Sequence, residues 1–473
     1  MTDLAFVPLA EASRRIRARE MSPVDLTQAL LARIERLDPA INAFLLVTAE
    51  SALAEAKTAE AEIARGHWRG ALHGIPYAAK DLIDVAGLAT TCHSKLRRDH
   101  RAAADAAVIA QLRAAGAVLI GKLALHEFAY GGPAFDLPWP PARNPWDRTR
   151  HPGGSSSGSG AALAAGLVPA TLGTDTGGSI RNPATACGIV GMKPTFGLVS
   201  CAGVFPLAAS LDHVGPMTRT VEDNALMLQA IAGYDPADPY SVRAPQQDFC
   251  ADLRRGVSGL RIGVIEHFYN EDLIGDAEHV EALEAAFEVL GRLGAQVSRL
   301  GLAPLEAWRH CGRTIQNAES YALHERDLTE RPTEFAAITR QKLMRGAGIT
   351  VGQYIAATRT RAALRNAFAE ATRDLDAVVT ISSHDLPCRI DDADAVARTY
   401  ERQARIVFNV TGTPALAVPT GFSAAGVPLG MQIAGKAFDE AMLYRIAHAY
   451  CEATGWCERH PSLTVHEPAA AAS

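Results

Sequence analysis

Hydrophobic and polar positions along the chain predict helices that alternate with short strands. Apolar residues recur at helical spacing up to Leu37 after Ser22-Pro23. That pair is typical of a helix start, because serine caps the first turn and proline fits its first position. The Ala/Glu-rich residues 51–65 predict a second amphipathic helix. Glycine and proline then break the helical pattern, and the short apolar run at 77–80 predicts a strand.

The same alternation continues toward the C-terminus. Further predicted helices cover residues 105–115, 278–293, 354–375 and 440–454. Further predicted strands cover residues 116–120, 260–265, 297–300, 377–381, 415–419 and 430–434. Such alternation predicts an α/β fold with a mixed central sheet between helices. The Ala-rich tail after Pro468 is expected to be frayed.

Composition and charge narrow the classes of function. The chain has 473 residues, of which 48% are hydrophobic and 21% charged, as in ordinary globular proteins. A net charge of −6 gives no electrostatic reason to expect DNA, RNA or an anionic membrane as a partner. The sequence shows neither a long apolar run nor a secretory signal, so we expect a cytoplasmic protein.

Cysteine and histidine patterns give no sign of a metal centre. The eight cysteines are scattered without a CxxC pair, which indicates reduced thiols. The fifteen histidines form no HExxH or HxxxH pattern. We therefore expect no metal and no cofactor.

The stretch at 153–194 carries the strongest chemical signal. Two Gly-Gly-Ser turns, at 153–155 and 177–179, flank a segment rich in Ala, Leu and Val that we expect to be buried. Glycine permits tight turns, and each turn ends in a hydroxyl group. A buried element between two such turns is typical of an active-site wall and not of a linker.

Three interpretations of this stretch use no lysine base. A phosphate-binding loop is excluded because Pro194 stands where that motif needs a hydroxyl. A nucleophile elbow would use Ser156 within GSSSG, but residues 144–152 contain two prolines and cannot form the central strand it requires. A structural role, in which serines satisfy backbone groups, suits Ser157 and Ser159.

A fourth interpretation is nucleophilic acyl transfer with lysine as the base. A serine hydroxyl needs a base to remove its proton, and lysine serves only when burial or a positive field keeps its amine neutral. Lys80 ends the apolar run at 77–80, which suits a desolvated amine. Considered alone, Lys80 could instead pair with its neighbour Asp81.

Several blocks of the chain, in one order, resemble the amidase signature family. The blocks around the candidate residues are GIPYAAKD, GGSSSGSGAA, GTDTGGSIRNPA and GIVGMKPT, and others include AGAVLIGKLALHEFAYGG and FNVTGTPALAVPTGF. The resemblance covers most of the chain and implies the amidase signature fold, a mixed central sheet sandwiched between helices. We therefore expect a single amidase domain over 1–473, with an N-terminal helical part at 1–66 and the amidase core at 67–465.

The resemblance also implies catalytic roles. Ser179 would be the nucleophile that becomes acylated, and Ser155 would be the bridging serine, after a cis peptide bond from Gly154. Lys80 would be the terminal base of this triad. No metal or other cofactor is implied.

The second turn also offers donors for a developing oxyanion. Consecutive backbone N–H groups in a turn without crowding side chains suit that role. The expected donors are Thr176, Gly177, Gly178 and Ser179. We expect Asp175, Arg181 and Ser156 to support the turns and not to react.

Substrate contacts are less defined by the sequence. Tyr130, Gly131 and Gly132 follow the HEFAYGG block and are expected to line the pocket. The loop FDLPWPP at 135–141 could supply an apolar wall. The segment at 381–386 departs from the Thr/Pro-rich stretch found in many members. We expect its His384 either to be a polar group of the pocket or to form a hydrogen bond in the core.

Two functions fit these features. The first is a stand-alone amidase that hydrolyses the C–N bond of a small carboxamide, and the departures at 135–141 and 381–388 favour it. The alternative is the glutaminase (A) subunit of a tRNA-dependent amidotransferase, which would need a partner subunit. The expected partner in either case is a small-molecule amide substrate, and a homodimer remains possible.

Overall fold

The framework of the protein is one mixed β-sheet of eleven strands. The computed structural model describes residues 4–463. In chain order the strands are β1 Phe44–Val47, β2 Pro76–Lys80, β3 Val118–Leu123, β4 Ala170–Thr174, β5 Val190–Lys193, β6 Val214–Thr218, β7 Arg261–Val264, β8 Gln296–Arg299, β9 Ala377–Ile381, β10 Ala415–Phe422 and β11 Pro428–Ala434. Their order across the sheet is β1-β3-β2-β4-β6-β5-β10-β11-β9-β7-β8.

Helices cover this sheet, and the expected fold class is confirmed. In chain order the α-helices of the described residues are α1 Leu9–Arg17, α2 Pro23–Leu37, α3 Ala49–Ala64, α4 Ala107–Ala114, α5 Ser157–Ala164, α6 Arg181–Cys187, α7 Val221–Ile231, α8 His267–Asn270, α9 Ala277–Arg292, α10 Leu305–Glu330, α11 Ala337–Leu343, α12 Val351–Ala371, α13 Ala393–Glu401, α14 Val407–Thr411 and α15 Glu440–Thr454. None of them combines the length and the apolar character that crossing a bilayer requires.

The elements with strong local signals form where the sequence predicts them. Helix α2 begins at Pro23, and the Ser22 side chain accepts hydrogen bonds from the backbone N–H groups of Val24 and Asp25. The predicted strands and helices after residue 250 all appear, with ends that differ by a few residues. Helix α10, at 26 residues, was not predicted, although it lies between the predicted strands β8 and β9.

The N-terminal part contributes to the sheet as well as to the helical layers. Besides α1, α2 and α3 it contains β1, which pairs antiparallel with β3 at one edge. The expectation of free thiols fails for Cys451 and Cys457, which are paired as a disulfide because α15 ends between them and turns back. The frayed tail expected after Pro468 lies outside the described residues.

Parallel pairing places the ends of two central strands side by side. Strand β2 lies between β3 and β4 and is parallel to both, with Tyr77 opposite Ala170 and Ala79 opposite Leu172. Both strands are buried along their whole length. Carboxyl ends of neighbouring parallel strands meet at one edge of a sheet, where α/β proteins commonly bind ligands. The last residues of β2 and β4 are Lys80 and Thr174.

Candidate active site

Lys80 is a buried amine held between two hydroxyl groups. Its side chain is fully inaccessible to solvent. Its Nζ lies 2.8 Å from Ser155 Oγ and 2.8 Å from Thr174 Oγ1. The first contact joins two of the residues expected to form the triad, across 75 positions of sequence.

The alternative pairing of Lys80 with Asp81 does not occur. Asp81 Oδ1 instead forms an ion pair with Lys122 Nζ at 2.8 Å. Its second oxygen accepts hydrogen bonds from the backbone N–H and the hydroxyl of Thr91. The two side chains leave the chain on opposite faces, as consecutive residues of an extended strand do. The nearest acid in sequence is therefore neutralised by another lysine.

Burial lowers the pKa of the Lys80 ammonium to about 7, because a charged amine loses its hydration there. The negative charges of Asp175 and Asp212 act in the opposite direction and keep the pKa from falling further. An amine with a pKa near 7 is largely neutral slightly above neutrality. Lys80 can therefore hold a free lone pair at ordinary pH.

Ser155 reaches Lys80 from a turn of unusual backbone form. The peptide bond between Gly154 and Ser155 is cis, as the resemblance implies. Position 154 has no room for a side chain, because a Cβ there would lie 2.1 Å from Cε1 of His126. The neighbouring Ser156 is fully buried, and its hydroxyl contacts the backbone of Thr174 at 3.3 Å. Ser156 therefore supports the turn, and the nucleophile-elbow interpretation fails.

The turn that carries Ser179 is organised by one buried carboxylate. Asp175 accepts hydrogen bonds from the Arg181 side chain at 2.9 and 3.1 Å and from Asn409 Nδ2 at 2.8 Å. The Arg181 guanidinium is the main cause that holds the Asp175 pKa far below its usual range, against the opposing effect of burial. Asp175 is thus a permanent anion that fixes the turn, as expected for a support.

One of the expected oxyanion donors is already engaged. The backbone N–H of Gly178 donates to Asp175 Oδ1 at 2.8 Å, so it points away from the pocket. This corrects the expected set for Gly178. The backbone N–H groups of Thr176, Gly177 and Ser179 form no hydrogen bond within residues 4–463.

Gly178 is required where it stands. Its φ of +122° is a conformation that residues with a side chain rarely adopt. A Cβ there would also lie 2.4 Å from Nε of Arg405. The buried Arg405 guanidinium therefore packs directly behind the turn that carries Ser179.

Ser155 and Ser179 open into one pocket. Tyr130 and Gly131 line it, as expected, whereas Gly132 lines a smaller neighbouring cavity. The backbone N–H of Ser156 donates to the Ser179 carbonyl at 3.3 Å, which ties the two turns together.

The expected apolar wall does not form at this pocket. Phe135 is 58% exposed, and Trp139 lines a separate cavity beside Asp38. Residues 135–141 form neither a helix nor a strand, and their prolines have no N–H group for pairing in a sheet. His384 is a core group, since its Nε2 lies 2.8 Å from the Phe268 carbonyl oxygen.

Several pocket residues escaped the sequence analysis. They come from α10, from α11 and the turn after it, and from the region of α13 and α14, which are far from the motifs in sequence: Arg313, Gln316, Asn317, Lys342, Arg345, Tyr400, Glu401 and Arg405. Thr174 was also missed, although it lies inside the GTDTGGS block and ends a buried strand beside Lys80.

Comparisons with known proteins identify the family to which the chain belongs. The family model described as Amidase matches residues 25–444. The A subunit of the glutamyl-tRNA(Gln) amidotransferase of Roseiflexus sp. (strain RS-1) is 40% identical to the chain, over 98% of the chain and 100% of that protein.

Solved structures of amidases and of an amidotransferase A subunit have the same fold as this chain. The peptide amidase of Stenotrophomonas maltophilia superposes with a TM-score of 0.85 at 32% identity, covering 95% of this chain and 97% of that one. The A subunit of the glutamyl-tRNA(Gln) amidotransferase of Thermotoga maritima superposes with a TM-score of 0.80 at 34% identity, covering 95% of each chain. With its sheet, its two serine turns and its buried lysine in the matching segments, this chain belongs to the amidase family and is an amidohydrolase that acts on linear amides.

Proposed function

We propose that the protein hydrolyses carboxamides through an acyl-enzyme on Ser179, with Ser155 and Lys80 as the proton relay. The observation that carries the proposal is the buried Lys80 amine, which lies 2.8 Å from Ser155 Oγ, while Ser155 and Ser179 line the same pocket. A serine hydroxyl is a weak nucleophile in water because no base removes its proton. The desolvated amine next to the two serines can act as that base.

The first half of the reaction forms the acyl-enzyme. Neutral Lys80 accepts the proton of Ser155, and Ser155 accepts the proton of Ser179 as Ser179 Oγ bonds to the amide carbon. The carbonyl becomes an oxyanion, for which the backbone N–H groups of Thr176, Gly177 and Ser179, which have no partner within residues 4–463, are the candidate donors. When the C–N bond breaks, Ser155 returns a proton to the leaving amine.

The second half regenerates the enzyme. Water attacks the ester carbon and gives its proton to the same relay, and the Ser179 oxygen leaves with a proton from Ser155. The carboxylic acid product departs. Thr174 helps in both halves, because an N–H of neutral Lys80 directed at Thr174 Oγ1 leaves the amine lone pair facing Ser155.

Two biological settings can use this chemistry. The curated relatives are named as A subunits of an amidotransferase, which supports the role of a glutaminase subunit. The Stenotrophomonas structure, a peptide amidase, supports hydrolysis by the chain alone. A cytoplasmic location, a homodimer and the single-domain division at residue 66 stay predictions.

The Ser179→Ala variant tests the nucleophile. We expect kcat/KM for any amide substrate to fall by about 10⁴-fold or more, because no other group can form the acyl-enzyme. Intact-mass measurement after treatment with a fluorophosphonate should show one adduct on the wild type and none on the variant. Normal turnover in a folded Ser179→Ala protein would remove the assignment.

The Lys80→Met variant tests the base. Its side chain fills the same buried space without the amine, so we expect a loss of about 10²–10⁴-fold in kcat/KM with an unchanged circular dichroism spectrum. Lys57→Met, at an exposed position of α3, is the matched control and should keep wild-type activity. Equal activity in the two variants would argue against Lys80 as base.

The pH dependence of kcat/KM should report the Lys80 amine. Below a pH of about 7 the amine is protonated and cannot accept a proton, so kcat/KM should fall about tenfold per pH unit; above it the rate should level off. A pH series with a substrate that does not titrate in this range measures the profile. A rate that rises as the pH falls from 8 to 6 would contradict the assignment.

The need for a partner is tested with the purified chain alone. Ammonia release is measured from a panel of aryl amides, alkyl amides and glutamine with no added protein. Turnover of simple amides without preference for glutamine is the result expected for a stand-alone enzyme. Glutamine turnover that appears only with added cell extract would instead support the glutaminase role.

A further inference from the structure

The pocket around Ser155 and Ser179 has a strongly unequal ionic lining. Four of its lining side chains are basic and one is acidic: Arg313, Lys342, Arg345, Arg405 and Glu401. The chain as a whole carries a net charge of −6, so the pocket departs in sign from the rest of the molecule. Such a local excess of positive charge favours an anionic ligand.

The acidic residue of this lining, Glu401, is paired with arginines. Glu401 forms ion pairs with Arg313, with Arg345 at 3.3 Å and with Arg309 at 3.8 Å. This group is at the rim, where the Glu401 side chain is 41% exposed. Glu401 is paired with Arg313 and Arg345 and lies near Arg309, which also pairs with Glu306, so Glu401 is not free to bind an ammonium group of a substrate.

Lys342 places a cation deeper in the pocket. It is buried, and its Nζ donates to the carbonyl oxygens of Gly131 at 2.7 Å and Tyr130 at 3.4 Å. The Tyr400 ring lies 4.9 Å from the same atom. Among the described residues no carboxylate lies within ion-pair distance of it. Carbonyl dipoles orient this ammonium but do not neutralise it.

Arg405 brings a second buried cation next to the nucleophile. Its Nη1 donates to Ser382 O at 2.9 Å and to Ser383 Oγ at 2.5 Å. Its Nε has no hydrogen-bond partner within residues 4–463, although the side chain is 1% exposed. That atom lies close to Gly178, the residue before Ser179, and Arg405 lines the same pocket as Ser155 and Ser179. A buried guanidinium with an unused donor is costly unless a ligand supplies the missing negative charge.

Both cations keep their charge near neutral pH. Burial lowers the pKa of Lys342 to about 8 and that of Arg405 to about 9, which leaves each mostly protonated at pH 7. A bound anion would favour the charged forms further. The two groups therefore act as positive charges when substrate binds.

We propose that this pocket selects amides that carry a carboxylate and lack an ammonium group, such as the monoamides of dicarboxylic acids, with Lys342 and Arg405 as the carboxylate-binding residues. This inference rests on the proposed hydrolysis at Ser179 and adds the substrate class. Glutamine fits less well, because among the described residues the one acid that lines the pocket, Glu401, is already paired with arginines.

The test compares matched substrates by ammonia release from the purified full chain. Succinamate and glutaramate are each set against their methyl esters, which keep the amide but remove the negative charge, and against glutamine. We expect kcat/KM to be about ten- to hundredfold higher for the carboxylates than for the esters and for glutamine, the range of one charge-assisted contact. Equal rates for carboxylate and ester, or a preference for glutamine, would overturn the inference.

Substitutions of Lys342 test whether this residue causes the preference for carboxylate substrates. Lys342→Met should reduce the carboxylate-over-ester ratio about tenfold, through KM more than kcat, because it removes one charge-assisted contact. Lys342→Arg should restore part of the ratio, and Lys57→Met should leave it at its wild-type value. An unchanged ratio in Lys342→Met would remove Lys342 from the carboxylate site. This comparison does not depend on Arg405 variants, whose buried guanidinium is part of the packing.

A second readout needs no turnover. Succinate and glutarate should slow the labelling of Ser179 by a fluorophosphonate, whereas their uncharged dimethyl esters at the same concentration should do so much less. Absence of protection by the dicarboxylates would refute the carboxylate site while labelling at Ser179 still supports the acyl-enzyme. Labelling at another residue would instead refute the proposed function itself.

Discussion

The removal of one amine from water is the constraint on which this site depends. Lys80 lies at the end of a strand with parallel neighbours on both sides. Its amine is buried, and its polar contacts are the hydroxyl groups of Ser155 and Thr174. Ion pairing with an adjacent acid would restore its charge and end its usefulness as a base. The capture of Asp81 by Lys122 prevents this. The paired charges on one face of the sheet thus protect the uncharged group on the other.

A second constraint is the rigidity of the Ser179 turn. Asp175 is held as an anion by Arg181 and Asn409, and it takes up the Gly178 N–H that would otherwise face the pocket. The neighbouring N–H groups of Thr176, Gly177 and Ser179 have no hydrogen-bond partner among residues 4–463. Donors placed in advance stabilise a developing charge without reorganisation during the reaction. The same hydrogen bonds that stabilise the turn therefore also select which backbone amides can serve catalysis.

The sequence predicts those parts of the site whose conformation depends on residues close together in the chain. The strand that ends at Lys80 and the two glycine-marked turns follow from residue type and spacing, whereas the cis peptide bond and the roles of Ser155 and Ser179 are implied by the family resemblance. The use of the Gly178 N–H could not be foreseen, because its acceptor, Asp175, is held in part by Asn409, a residue 234 positions away.

The substrate side of the pocket was the least predictable part. Helix α10 mixes charged and apolar residues along its 26 positions, so its pattern gave no clear face. Lys342 and Arg405 look like ordinary surface cations in the sequence, and only tertiary packing buries them. Conversely, Phe135 and Trp139 have the composition of a pocket wall but belong to a loop that faces away.

The supports of the Ser179 turn come from the far end of the chain. The Arg181 guanidinium donates to the carbonyl of Arg405, to Gln432 on β11 and to Asn409 on α14. All three side chains of the proposed triad lie between residues 80 and 179, yet the hydrogen bonds that hold Arg181 extend to residue 432. During synthesis on the ribosome, the nascent chain therefore contains the proposed triad long before the residues that hold its second turn have been added.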